Sequence, residues 1–140
     1  DNEELVYQEF LSFLPFDSAA EKVLVKKTNA EGFYDRRIAI YEVTLTKQRH
    51  ISLFLKALAE RLSPEQKQLL ERQKDSRLDE NLFFYIRIDK CRLVDEGKSW
   101  ITDCGNCFHI KIALAPFPRK RELALQIVDE ILALGQMPIP

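Results

Sequence analysis

Alternation of apolar and polar positions is sharpest at residues 82–89, where Leu82, Phe84, Ile86 and Ile88 interleave with Phe83, Tyr85, Arg87 and Asp89. Successive side chains of an extended chain point to opposite sides, so this row predicts a strand with one buried and one outward face. Residues 108–114 repeat the pattern, with Phe108, Ile110, Ile112 and Leu114 inward and His109 and Lys111 outward. Residues 98–102 read as a further strand, Ile101 inward and Lys98, Trp100 and Thr102 outward. The turn-like Asp103-Cys104-Gly105-Asn106 would join it to 108–114 as a hairpin. Two earlier strands are expected. Residues 4–14 mix aromatic and β-branched side chains and end at Pro15, and residues 37–46 are rich in Ile, Val, Thr and Tyr.

Other stretches carry the helical period. Ser18-Ala19-Ala20-Glu21 has the spacing of a capping box and predicts a short helix to about Thr28. Ile51, Phe54, Leu55, Leu58 and Leu62 share one face of a helix over 47–62. Ser63-Pro64 then starts a second, highly charged helix, with Pro64 where its missing N–H costs nothing. A last helix over 121–134 would pack Leu123, Ile127, Ile131 and Leu134. The predicted order is β-α-β-α-α-β-β-β-α. That order suggests a two-layer α+β sandwich, a mostly antiparallel sheet with helices on one face, in a single domain over residues 1–140.

Composition narrows the picture. Hydrophobic residues make up 46% of the 140 and charged residues 31%, ordinary for a globular chain and too apolar for a disordered one. No apolar run approaches the roughly 18 residues of a membrane span. The acidic start Asp1-Asn2-Glu3-Glu4 lacks the layout of a signal peptide, and three cysteines do not make a disulfide framework. A reducing cytoplasm is the expected setting. With 21 basic and 22 acidic residues the net charge is -1, so attraction to a polyanion has to come from a local patch.

Such a patch is predicted on the open sheet face, where Phe83, Tyr85 and Trp100 would stand with Arg87, Lys98, His109 and Lys111. Rings offer stacking surfaces to unpaired bases while cations neutralise phosphates, which suits single-stranded RNA. The same rows would equally suit a solvated face or a homodimer interface. A second basic cluster gathers Lys22, Lys26 and Lys27 on one predicted helix and Arg36, Arg37, Lys47 and Arg49 in the next segment. Arg119-Lys120-Arg121 precedes the final helix as a further phosphate-contact candidate.

Catalytic chemistry has no counterpart in the sequence: no phosphate-binding Gly-rich loop, nucleophile elbow or His-Glu metal pair occurs. Cys104-Gly105-Asn106-Cys107, with His109 two residues on and Cys91 upstream, could supply metal ligands. A hairpin turn with two ordinary thiols is the preferred reading, so neither metal nor cofactor is expected. His50 is expected near the start of a surface helix.

Two stretches of the chain carry a family resemblance. Leu82-Phe83-Phe84-Tyr85-Ile86-Arg87-Ile88-Asp89-Lys90 is similar to the family's aliphatic/aromatic-Arg-aliphatic-Asp-Lys strand. Glu31-Gly32-Phe33-Tyr34-Asp35-Arg36-Arg37-Ile38 is similar to its Gly-x-Tyr-Gly-Asn-x-Ile segment, with Asp35-Arg36 in place of Gly-Asn. The family that these stretches resemble is an archaeal one of predicted RNA-binding, exosome-associated proteins, and the resemblance covers roughly residues 5–134. It implies a fold like that of the ribosomal protein that carries 5S rRNA, and a role beside RNA-processing or degradation machinery. The expectation is therefore a non-catalytic RNA-binding module using Tyr85, Arg87, Lys98, Trp100, His109, Lys111, Lys26, Lys27, Arg36 and Arg37. The alternative is a protein-interaction module or homodimer using the same face.

Overall fold

In residues 3–12 the period of 3.6 wins over strand-forming composition. As a strand, this stretch would leave both faces mixed, Glu9 beside Tyr7 and Gln8 beside Phe10. As a helix it gathers Val6, Tyr7, Phe10 and Leu11 along one side. The computed structural model, which describes residues 3–31, 37–103 and 107–134, has α1 at Glu3–Ser12. Glu3 and Glu4 sit in its first turn, where the helix dipole favours negative charge. The strand expected over 4–14 is thus a helix.

The helix expected over 18–28 is likewise overturned. Asp17 Oδ1 accepts the Ala19 and Ala20 amides (3.0 and 3.4 Å), so one turn forms, capped by Asp17 rather than Ser18. Lys22 then takes a left-handed φ of 56° and stops it. The chain continues as β1 (Val25–Glu31), which pairs antiparallel with β2 (Arg37–Val43) in a register running from Val25↔Val43 to Glu31↔Arg37. Cross-strand pairing outweighs the local helical signal. Next comes α2 (Gln48–Arg61). His50, in its first turn, is buried against the Phe16 ring with centroids 4.8 Å apart, not on a surface as expected.

The described chain divides into two compact units, Asp1–Phe54 and Leu55–Pro140, with the division falling inside α2. The second unit continues with α3 (Pro64–Arg77), whose cap Ser63 accepts the Gln66 amide at 3.2 Å. β3 (Phe83–Asp89) follows, then α4 (Lys90–Glu96), β4 (Cys107–Ala113) and α5 (Arg121–Ala133). The observed order is α-β-β-α-α-β-α-β-α, a mixed α+β fold, and its strands form two two-stranded antiparallel sheets rather than one larger sheet.

The short helix α4 was absent from the predicted order. Asp89 ends β3 and caps α4 by accepting the Arg92 amide at 2.9 Å, and Gly97 closes the helix at φ 68°. A left-handed C-terminal residue is where glycine avoids a side-chain clash. The expected strand 98–102 shrinks to a short bridge that pairs with β3 rather than forming a hairpin with β4. Asp89 donates to Trp100 O at 2.8 Å, and Thr102 donates to Arg87 O at 3.0 Å. On the far side of that bridge, the Ile101 amide donates to the buried Gln66 side chain at 2.6 Å.

Phe84, Ile86 and Ile88 of β3 are nearly inaccessible, and Phe108, Ile110 and Leu114 are buried with them. Leu70 of α3, Leu93 of α4 and Val128 of α5 complete this core. The apolar stripe of α5 is Ala124, Val128, Ile131 and Leu132, so Leu123, Ile127 and Leu134 are not its fully buried positions.

Candidate nucleic-acid interface

One-sided burial of β3 decides what stands on the other side. Its residues alternate half-buried and buried from Phe83 to Asp89, as the sequence predicts. Antiparallel pairing brings Arg87 opposite His109, Tyr85 opposite Lys111 and Phe83 opposite Ala113. On the other edge of β3, the bridge sets Thr102 beside Arg87 and Trp100 beside Asp89. Tyr85, Arg87, Trp100, His109 and Lys111 therefore share one outward face. Lys98 is exposed two residues before Trp100, directly after the cap of α4.

The side chains of β4 lean diagonally onto β3. Lys111 Nζ lies 4.1 Å from the Phe83 ring centroid, and His109 stacks on Tyr85 with centroids 5.6 Å apart and planes 19° apart. Diagonal neighbours on a strand pair lie within reach of long side chains and rings. Arg92 covers Trp100 in the same manner, its guanidinium carbon 4.4 Å from the ring. Each ring thus already carries a cation or an imidazole, and the face is a mosaic rather than a bare aromatic platform.

Asp79, just before β3, fixes the tyrosine. Its Oδ1 accepts the Asn81 and Phe83 amides, both at 2.9 Å, and its Oδ2 accepts the Tyr85 hydroxyl at 2.9 Å. The Phe83 amide, the Tyr85 hydroxyl and the Asn81 amide hold the Asp79 carboxyl below its usual range. The hydrogen bond to Asp79 raises the Tyr85 phenol in turn. Partial burial, then the positive charges of Arg87 and Lys111, push the His109 imidazole down from its ordinary value. The shift favours the uncharged ring, the form that stacks on Tyr85 without adding a third positive charge beside Arg87 and Lys111.

Beside the face, Gln73, Ser76 and Arg77 of α3 form a groove of about 340 Å³ with Tyr85, Arg87 and Asp103. Arg77 donates to Gln73 Oε1 through Nε and Nη2 (3.0 and 2.7 Å) and to Asp103 Oδ1 through Nη2 (3.2 Å). Arg87 Nη1 donates to the Asp103 carbonyl at 3.3 Å. Sequence reasoning missed Arg77, Asp79 and Asp103. The i, i+4 pair Gln73–Arg77 was legible, but a charged helix reads as solvated, and nothing local shows that the Arg77 side chain is only 8% exposed.

The second basic cluster does not assemble as expected. Lys26 and Lys27 are consecutive in β1 and so stand on opposite faces, Lys26 opposite Glu42 and Lys27 opposite Tyr41. Lys27 is engaged by Glu3 at 3.2 Å and lies 5.5 Å from the Tyr41 ring. Lys22 occupies the preceding turn, so no shared helix carries the three lysines. Arg37 opens β2, and Arg36 lies outside the described residues, as do Cys104, Gly105 and Asn106 of the candidate metal motif. These basic residues belong to the first unit and the β3–β4 face to the second.

The Arg119–Arg121 run is structural at two of its positions. Arg121 donates to the Asp75 and Leu78 carbonyls through Nη2 (2.6 and 3.2 Å), satisfying groups at the end of α3 that the helix itself leaves open. Arg119 donates to Asn81 O at 2.9 Å. Among the described residues no group of three or more His, Cys, Asp or Glu side chains is arranged to hold a metal, and no helix is long and apolar enough to cross a membrane.

A mixed α+β protein that turns rings and cations outward on one small sheet is the class these features define. Residues 1–114 match the model of the RNA-binding family, and the chain belongs to that family. It is 26% identical over 132 residues to the RNA-binding protein PAB1135 of Pyrococcus abyssi, covering 94% of this chain and 85% of that one. Its fold is similar to the crystal structure of AF2318 from Archaeglobus fulgidus, a DUF54 protein. That match has a TM-score of 0.78 and 29% identity over 94% of this chain and 89% of the other. A second DUF54 protein, Mth689 of Methanothermobacter thermautotrophicus, shares the fold at a TM-score of 0.70 and 24% identity, covering 94% and 88%.

Proposed function

We propose that this chain binds single-stranded RNA on the outward face of β3 and β4, without catalysing a reaction. The observation that carries this reading is the clustering of Tyr85, Arg87, His109 and Lys111 by the β3–β4 register. Lys111 supplies a phosphate contact, Arg87 adds guanidinium donors for the strand, and the exposed side of the Tyr85–His109 pair and Trp100 supply stacking surfaces. Family membership and the name of the Pyrococcus relative support RNA as the ligand. Such a module would serve RNA-processing or degradation machinery by holding single strands.

A symmetric homodimer over the same face is less favourable. Related copies of Arg87 and Lys111 would approach each other, and like charges across an interface are costly. The test uses Trp100, the sole tryptophan. Titration with a short single-stranded RNA at two salt concentrations should quench its fluorescence, with affinity falling as salt rises. Tyr85→Ala or Arg87→Ala should weaken binding without unfolding the protein. Undetectable affinity at low salt, or indifference to both substitutions, overturns the reading.

A further inference from the structure

We propose that the groove between α3 and the β3 face is a pocket for a guanine base of the bound strand, a step that rests on the RNA reading above. The groove holds about 340 Å³, toward the lower end of the roughly 300–1,000 Å³ of small-ligand sites, which suits one base rather than a base pair. Its polar groups come in two kinds set side by side. Arg77 and Arg87 bring guanidinium donors beyond those spent on Gln73 Oε1, Asp103 Oδ1 and the Asp103 carbonyl. Asp103 brings a carboxylate.

The ion pair between Arg77 and Asp103 is lopsided in a way that points outward. The Arg77 side chain is 8% exposed and that of Asp103 is 86% exposed. A pair with one partner so solvated adds little to stability. Its effect is to hold the carboxylate at the rim through Oδ1, while Oδ2 accepts no hydrogen bond from any described residue. Tyr85 has its hydroxyl committed to Asp79, so what it adds to the groove is its ring.

Guanine is the one standard base with adjacent acceptors, O6 and N7, and adjacent donors, N1–H and the N2 amino group. An arginine fork reads the first pair and a carboxylate reads the second. Adenine presents no second donor beside its amino group, and uracil and cytosine lack the paired donors. A phosphate would meet the Asp103 carboxylate and be repelled. The arrangement therefore selects a base edge over the backbone, and guanine among the bases.

Anisotropy titrations of the whole chain distinguish the two levels of the argument. The strands are a short oligouridylate and the same strand with one central guanine, adenine, cytosine or inosine. The guanine strand should bind about tenfold more tightly than the oligouridylate, the adenine and cytosine strands close to it, and inosine, lacking the N2 amino group, in between. In Asp103→Asn, with an unchanged unfolding midpoint, the guanine-to-uridine ratio should fall to about one. Equal binding of all strands by the wild type overturns the pocket and leaves RNA binding standing. A guanine preference that survives in Asp103→Asn, or equal binding of guanine and inosine, also overturns it. Binding to none of the strands overturns both.

Discussion

The two small sheets are built alike and present opposite surfaces. Each pairs two seven-residue antiparallel strands, and each sets a lysine against an aromatic ring, Lys27 at 5.5 Å from Tyr41 and Lys111 at 4.1 Å from Phe83. Each also ties a tyrosine hydroxyl to a carboxylate, Tyr41 to Glu3 at 2.7 Å and Tyr85 to Asp79 at 2.9 Å. The difference lies in what covers them. In the first unit α1 brings Tyr7 to 4.6 Å from the Tyr41 ring and Glu3 to both Tyr41 and Lys27. The cation is neutralised, and Glu3 raises the Lys27 ammonium above its ordinary value. Among the described residues of the second unit, no acidic helix of that kind contacts Lys111 or Arg87, and neither forms an ion pair with a carboxylate. A covering helix with its carboxylate, not the strand pattern, separates a neutralised ring-and-cation pair from an exposed one.

That contrast can be broken from several sides. The largest effect should come from the core under the open face: Phe84→Ala should cost about 3–5 kcal/mol in denaturant unfolding, since it empties a fully buried ring position. Next come the exposed cations. Arg87→Ala and Lys111→Ala should each weaken RNA binding several-fold, and Lys111→Ala should also lower the salt slope by about 1, as expected for a lost phosphate contact. Lys27→Ala, whose cation is already engaged by Glu3, should leave both nearly unchanged. A Lys27→Ala effect as large as that of Lys111→Ala would abolish the distinction between the sheets.

Acidity probes the same contrast more gently. The folded state holds His109 below its usual value of 6.5, so the unfolded chain takes up a proton more readily. The stability linked to neutral His109 is complete above 6.5 and declines as pH falls through that value toward the folded pKa. RNA phosphates near the ring would pull the pKa back up, so RNA affinity should rise over the same interval. An NMR titration of the ring with and without RNA reads both shifts, and His109→Gln should flatten the pH dependence of binding. The smallest effect is expected from Glu3→Gln. Releasing Lys27 should raise RNA affinity slightly if a strand reaches the first unit, and leave it unchanged otherwise.

The open face was legible because burial on one side only stamps a two-residue period onto β3 and β4, and that period survives any tertiary context. Regions whose structure is set by distant partners were not. Tyr7 and Phe10 look like strand residues until Tyr41 is opposite them, and Val25 and Thr28 leave a plausible helix for a strand because β2 supplies a ladder. The signal for α4 lies in Asp89 and Gly97, a cap and a left-handed stop eight residues apart, but Asp89 also completes the alternation of β3 and Gly97 stands alone between charged residues. Arg121 looked like a phosphate ligand because its true partners, the last carbonyls of α3, lie more than forty residues away.

The bond from the Ile101 amide to Gln66 has a consequence for self-association. That N–H points away from β3, where an additional strand would otherwise dock, and a buried glutamine occupies it at 2.6 Å. Unpaired edge amides are templates on which chains polymerise. The glutamine acceptor makes the Ile101 N–H unavailable to any further strand, so the residue closes this margin of the sheet as well as filling the core.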